Sequence, residues 1–367
     1  MHKSGRIVLP ALLLFLLSCT RQPTAIPTPT DPTSSLTPIP LAAGYGADGG
    51  WYQIYFTEPF SSVAATETGG PDGPLVDSIA SARQSIDVAG YSLSLDSVRR
   101  ALIDAHKRGV SVRMVMESDN MDGFDVQKLV EAGIPVIGDR REGLMHNKFI
   151  VIDRSQVWTG SMNFTDSGTY QDNNNLIHIR SGDLAENYTA EFEEMFTDDL
   201  FGDSIRAETP HPDLTIEGTR IETFFSPDDH PAARITELLN SAQHSIHFLA
   251  FSFTTDDFGD ALIDRASAGV TVWGVMEAGQ VRSNPGTEYD RLLQAGLEVR
   301  LDGNPEHMHH KVFIIDEQIV IFGSYNFSLS AETRNDENLL VIDSPELAQQ
   351  FMQEFERVYE RAGKTDQ

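Results

Sequence analysis

Two short stretches of the chain carry residues able to do chemistry, in the same order. LMHNKFIVIDRSQVWTGSMNFT, from Leu144, holds His146, Lys148, Asp153, Gly160, Ser161 and Asn163. HMHHKVFIIDEQIVIFGSYNFS, from His307, holds His309, Lys311, Asp316, Gly323, Ser324 and Asn326. The two sets align at a constant offset of 163. In each, a histidine and a lysine lie two apart at the head of an apolar run, so on a strand they face the same side. The second stretch alone is open to a metal site, a nucleic-acid contact or a catalytic pair. The repeat decides among them. His307 and His310 align with Leu144 and Asn147, and are read as strand-edge or rim residues. Zinc on His307 and His309 would sit beside the Lys311 ammonium, so neither metal nor cofactor is expected. What both copies share is an imidazole, an ammonium and an amide. If the two halves face each other across a pseudo-twofold interface, one imidazole can attack while the other protonates. The cations and amides then surround a developing anionic centre.

The elements that must position these groups repeat as well. ALID at Ala101 returns at Ala261, Gly109 at Gly269, and VME at Val115 returns at Val275, here at an offset of 160. QSIDVAGYSL and HSIHFLAFSF read as buried strands. DSVRRALIDAHKRG and DDFGDALIDRASAG read as helices ending at a glycine cap. KFIVID and KVFIID suit a central strand, with QVWTGS and QIVIFGS as the return strands of hairpins. Helices over LAENYTAEFEEMF and LAQQFMQEFERVY close each copy. Strands alternating with helices give an α/β chain with a mixed β-sheet flanked by helices in each half. The body is a tandem duplication, residues 49–203 and 219–362, joined by a linker over 204–218.

The 367-residue chain has a formal net charge of -28. Such a surface repels polyanions at long range and argues against an extended nucleic-acid groove. The single cysteine, Cys19, excludes an intramolecular disulfide. Lys3 and Arg6 precede an apolar segment from Ile7 to Leu17 that ends in LLSC. Residues 1–18 therefore read as a secretory signal peptide, with Cys19 as a bacterial lipobox cysteine. Residues 19–48, rich in Pro and Thr, read as a solvated tether, and the glycine string GYGADGG before Trp51 reads as linker. The expected location is extracytoplasmic, lipid-anchored to a bacterial cell membrane.

HxKxxxxD followed by GSxN, present twice, resembles the signature of the phospholipase D superfamily over roughly Gln53 to Tyr359. The resemblance implies tandem phospholipase D-like domains in one chain, an internal pseudo-dimer with one active site at the interface. It also implies phosphodiester chemistry through a phosphohistidine, generally without a metal. His146 and His309 would be the nucleophile and acid pair. Lys148, Lys311, Asn163 and Asn326 would hold phosphate oxygens, supported by Ser161 and Ser324. Asp153 and Asp316 complete the catalytic motif and more often brace it than touch substrate. A later position often carries a carboxylate for the motif histidine; here it is Glu337 in the second copy and Asn174 in the first. Pairing within each copy would hold His309 protonated by Glu337 as general acid and leave His146, beside Asn174, neutral as nucleophile; the departure at Asn174 leaves this assignment open, since pairing could cross between the halves. The expected substrate is a phospholipid at a membrane surface. The alternatives are an anchored extracytoplasmic nuclease and a non-catalytic binding lipoprotein. An apolar pocket rim would favour lipid, and a rim of Lys, Arg and stacking aromatics would favour nucleic acid.

Overall fold

The computed structural model describes residues 1–2, 36–202 and 209–362. Residues 3–18 of the signal peptide, Cys19 and most of the tether lie outside these residues. Two mixed sheets form the body. The first contains β1 (Thr37–Leu41), β2 (Gly44–Asp48), β3 (Tyr52–Thr57), β4 (Ser85–Gly90), β5 (Ser111–Met116), β6 (Val136–Gly138), β7 (Lys148–Ile152), β8 (Gln156–Gly160) and β9 (Asn175–Arg180). The second contains β10 (Asp213–Ile216), β11 (Thr219–Ser226), β12 (Ser245–Ala250), β13 (Thr271–Met276), β14 (Glu298–Leu301), β15 (Lys311–Ile315), β16 (Ile319–Gly323) and β17 (Glu337–Asp343). The spatial orders are β1-β2-β3-β9-β8-β7-β4-β5-β6 and β10-β11-β17-β16-β15-β12-β13-β14. From β3 and β11 onward these are the same order, so the duplication read from the sequence is a duplication of topology.

Two boundaries differ from the expectation. Residues 37–48, assigned to the tether, form the β1–β2 hairpin at the sheet edge. Pro38 and Pro40 do not prevent this, because an edge strand can leave a missing N–H on its solvent side. The linker contains β10, which pairs antiparallel with β11. The predicted hairpins are present as β7–β8 and β15–β16. The caps at Gly109 and Gly269 have φ of 92° and 95°, a region that favours glycine.

The strands β7 and β15 are buried along their whole length, as their continuous apolar runs require. Helix Gly182–Phe196 packs on β4, β5, β7 and β8, and helix Pro345–Ala362 on β12 to β16. One apolar cluster runs through both halves, from Ile54 and Trp158 to Phe322 and Phe351. That shared core fixes the two sheets to each other and so fixes the spacing of the two motifs.

Candidate active site

Each HxK segment leaves its own sheet at its N-terminal side and pairs with the other copy. The His146 N–H donates to Asp336 O at 2.9 Å, and the Asp336 N–H to Leu144 O at 2.9 Å. Symmetrically, the His309 N–H donates to Asn173 O at 2.9 Å, and the Asn173 N–H to His307 O at 2.8 Å. Met145↔Asp336 and Asn173↔Met308 are parallel bridges. The main chain therefore crosses, and the side chains cross with it.

The His146 Nδ1 lies 2.6 Å from Glu337 Oε2. An ionised carboxylate only accepts, so Nδ1 carries the proton and Nε2 is left for the pocket. The His309 Nδ1 lies 3.0 Å from Asn174 Oδ1 and 3.1 Å from Ser161 O. The Asn174 amide is oriented by its Nδ2–H, which donates to Gly168 O, and by the Ser161 hydroxyl, which donates to Oδ1. His309 thus also holds its proton on Nδ1. This corrects the within-copy assignment: Glu337 serves His146 and Asn174 serves His309.

Lys148 and Lys311 are buried, and each Nζ donates to the carbonyl two residues back, His146 O and His309 O, at 2.7 Å. Two aromatic rings outside the motifs line the same place. Tyr91 packs its ring 5.1 Å from His146 and 5.3 Å from Lys148 Nζ. Phe251 does the same at 4.6 Å from His309 and 4.6 Å from Lys311 Nζ. Their signal was an aromatic just after β4 and again just after β12, aligned at offset 160.

The remaining motif residues divide. Ser161 and Ser324 are buried, and their Oγ atoms accept from the N–H groups of Asn175 and Asn338. Gly160 and Gly323 permit this approach: a Cβ there would lie 2.4 Å from Asn175 O and 2.2 Å from Asn338 O. Asn163 and Asn326 each bury an Oδ1 with no hydrogen-bond partner among the described residues. Asp153 and Asp316 stand apart. They follow the far ends of β7 and β15, where Asp153 accepts from the N–H groups of Arg83, Gln84 and Ser85. Asp316 accepts from Gln243, His244 and Ser245. They anchor strand ends and do not reach the pocket, so they are not placed among the catalytic groups. His310, read as a rim residue, is fully buried between Asn175 and Glu354.

The electrostatics follow from burial. It drives His146 down to about 4 against the raising pull of Glu337, and Lys148 down to about 7. His309 and Lys311 fall well below their ordinary values, through burial first and then through neighbouring cations, Lys311 and Lys148 for His309 and Lys148 for Lys311. Four groups that could be cations gather here; the Glu337 carboxylate lies near His146, Lys148 and Lys311, and Asp172 lies near Lys311. An anion entering between them would favour their charged forms.

A family model described as "Cardiolipin synthase, PLD-like domain" matches the chain twice, over residues 75–196 and 235–359. Mitochondrial cardiolipin hydrolase of Chlamydomonas reinhardtii is 34% identical over 128 residues, 35% of this chain and 57% of that protein. The human mitochondrial cardiolipin hydrolase is 33% identical over 133 residues, 36% of this chain and 52% of that one. This chain thus spans little more than half the length of either. Phospholipase D of Rickettsia bellii is 32% identical over 164 residues, 42% of this chain and 80% of the relative. The phosphatidylserine synthase structure from Haemophilus influenzae has the same fold at a TM-score of 0.62 and 13% identity. That match covers 86% of this chain and 87% of the other.

Proposed function

The chain belongs to the phospholipase D superfamily, and from that premise we propose that it hydrolyses phospholipid phosphodiester bonds through a phosphohistidine. The observation that carries this reading is the crossed pair of imidazoles, each held through Nδ1, between two buried lysines. In the proposed first step His146 Nε2 attacks phosphorus and the P–O bond to the leaving alcohol breaks. The His309 Nε2–H gives its proton to the departing oxygen. In the second step His309 takes a proton from water, water oxygen bonds to phosphorus, and the N–P bond breaks to free His146. Lys148, Lys311, Asn163 and Asn326 hold the non-bridging oxygens. Glu337 suits His146 as nucleophile because the phosphorylated ring is cationic and its Nδ1–H stays against a carboxylate. His309 acts as acid only when both ring nitrogens are protonated. Burial opposes that state, and a bound phosphodiester anion favours it.

Phospholipid is favoured over nucleic acid by the charge of -28 and by the pairing of nearby arginines. Arg141 is bound to Asp336 at 2.6 Å, and Arg140 to Asp199. The half-buried Leu144 and Tyr91 give the His146 side an apolar edge. The test is purified protein assayed in parallel on mixed phospholipid vesicles and on single-stranded DNA. Lipid turnover is expected; strong DNA cleavage without it reverses the reading. We further propose lipidation of Cys19 as the membrane anchor. Cys19→Ser is expected to move the protein from the membrane to the soluble fraction, and unchanged tight membrane association refutes it.

A further inference from the structure

The pseudo-twofold that makes the pocket is broken at its mouth. Beside His146 stand Tyr91 and Leu144. At the equivalent places beside His309 stand Phe251 and His307, whose rings meet at 5.6 Å. His307 is half exposed, with 51% of its side chain accessible, and its Nδ1 is 3.5 Å from Glu277 Oε1. In the first copy the matching Glu117 is committed to main-chain N–H groups, at 3.0 Å from Met145 and 3.3 Å from Asp119. The second break is Asp172, which matches Asn335. Asn335 is satisfied: its Oδ1 accepts from Leu144 N at 3.2 Å. Asp172 is 5% exposed and takes the matching main-chain hydrogen bond from His307, but it is a carboxylate where the first copy's partner is an amide, and its Oδ1 has no hydrogen-bond partner among the described residues. Burial raises its carboxyl to about 6, and the nearby cations that oppose this are His307 and Lys311. His307 is itself held above its ordinary value by the hydrogen bond to Glu277 and then, after the opposing effect of burial, by the charge of Asp172.

We infer that Asp172 and His307, with Glu277 behind His307, form the subsite for the leaving alcohol, a polar headgroup bearing hydroxyl or ammonium groups. The inference rests on the phospholipid reading and on in-line displacement. An alcohol leaving opposite the attacking His146 departs against His309, and the polar residues of the mouth are those around His309. His307, with half its side chain accessible and its Nδ1 held toward Glu277, is the group that meets the headgroup, and the buried Asp172 carboxylate beneath it supplies the negative charge and an unfilled acceptor. The opposite side offers Leu144 and Tyr91, which suit the apolar remainder of the lipid.

The experiment compares two short-chain esters that differ only in the leaving group, phosphatidylglycerol and phosphatidyl-p-nitrophenol. The readout is the ratio of their kcat/KM values in wild type, His307→Leu and Asp172→Asn. Each substitution installs the residue that the other copy already holds at that place, so each is sterically compatible with the fold. The ratio is expected to fall about tenfold or more in each variant, the factor lost with a hydrogen bond to a charged group. A wild type that cleaves both esters, with ratios within about twofold in both variants, overturns the subsite alone. A wild type that cleaves single-stranded DNA and neither ester overturns the phospholipid reading and the subsite with it.

Discussion

Behind the pocket, the two copies place the same buried glutamate in opposite electrical surroundings. Glu191 and Glu354 occupy equivalent places on the two closing helices, 163 residues apart. In the first copy Glu191 accepts from the Asn147 amide at 3.0 Å, and burial raises its carboxyl well above the ordinary value. In the second copy Glu354 meets His310 at 2.8 Å, Arg357 at 2.7 Å and the Tyr45 hydroxyl at 2.6 Å. Burial again pushes up, but Arg357 and His310 outweigh it and Glu354 is held below its ordinary range. Asn147 and His310 then reach across to Asn338 and Asn175 of the opposite copy. Duplication supplied a symmetric frame, and divergence made the two sides electrically different. The same happened in the pocket, where one imidazole has a carboxylate and the other an amide. The two histidines are therefore distinguished by their partners before any substrate binds.

The sharpest way to break that comparison is to remove each imidazole in turn. His146→Ala is expected to abolish phosphoenzyme formation on every substrate. His309→Ala removes only the proton donor, commonly worth about 10²–10⁴ in rate, and a nitrophenolate leaving group needs little protonation. His309→Ala should therefore recover much of its loss on a nitrophenyl ester, and His146→Ala none. A nitrophenolate burst in His146→Ala but not in His309→Ala would mean the roles are exchanged.

Glu337→Gln comes next. Its carboxylate raises the His146 pKa, so its loss lowers that pKa and moves the acid limb of kcat/KM to lower pH. The fall in kcat should be about 10²–10³, the range for removing one preorganised electrostatic partner. A shift of the basic limb instead would tie Glu337 to His309.

That last alternative is the one the sequence favoured, and the reason it did is instructive. A constant offset matches residues between copies, and alternation on a strand says which side chains share a face. Neither says which copy's chain lies alongside. The crossing is decided by main-chain bridges at Met145–Asp336 and Asn173–Met308, which have no side-chain signature. The duplicated topology was legible because glycine caps and apolar runs are local signals. The β1–β2 hairpin was not, since two prolines and a glycine string look alike in a tether and in an edge strand. Asp172 and His307 were illegible as a pair, because they come together only once the two copies cross.

The supporting carboxylates give a stability contrast. Glu354 has a lowered pKa in the folded state, so its contribution is present above the unfolded pKa and is lost as pH falls through the folded value. Glu354→Gln at pH 7 should cost about 3–5 kcal/mol, as for one side of a buried ion pair. Glu191 has a raised pKa, so above its unfolded value the folded state is penalised for binding a proton that the unfolded chain releases. Glu191→Gln, which keeps an acceptor for Asn147, should raise the thermal midpoint at pH 7 and lose that advantage near pH 4. Equal losses for both variants at pH 7 would contradict the electrical difference between the copies.

The smallest expected effect comes from restoring symmetry in the pocket with Asn174→Asp. The new carboxylate would stand where Asn174 Oδ1 now accepts from His309 Nδ1. Ser161 could still donate to it, and only the bond to Gly168 O would be lost. A carboxylate partner favours the imidazolium, so the His309 pKa rises. His309 must be protonated to act as acid, and the basic limb of kcat/KM should therefore move to higher pH. His146 keeps Glu337, and the acid limb should stay where it is. Because neither reacting nitrogen is removed, the maximal rate should stay within about tenfold of wild type, well inside the range of general acid catalysis. A pH–rate profile on an unactivated phosphodiester separates the limbs. If the acid limb moves and the basic limb does not, the amide-paired histidine is the nucleophile, and the asymmetry between the copies works in the reverse sense.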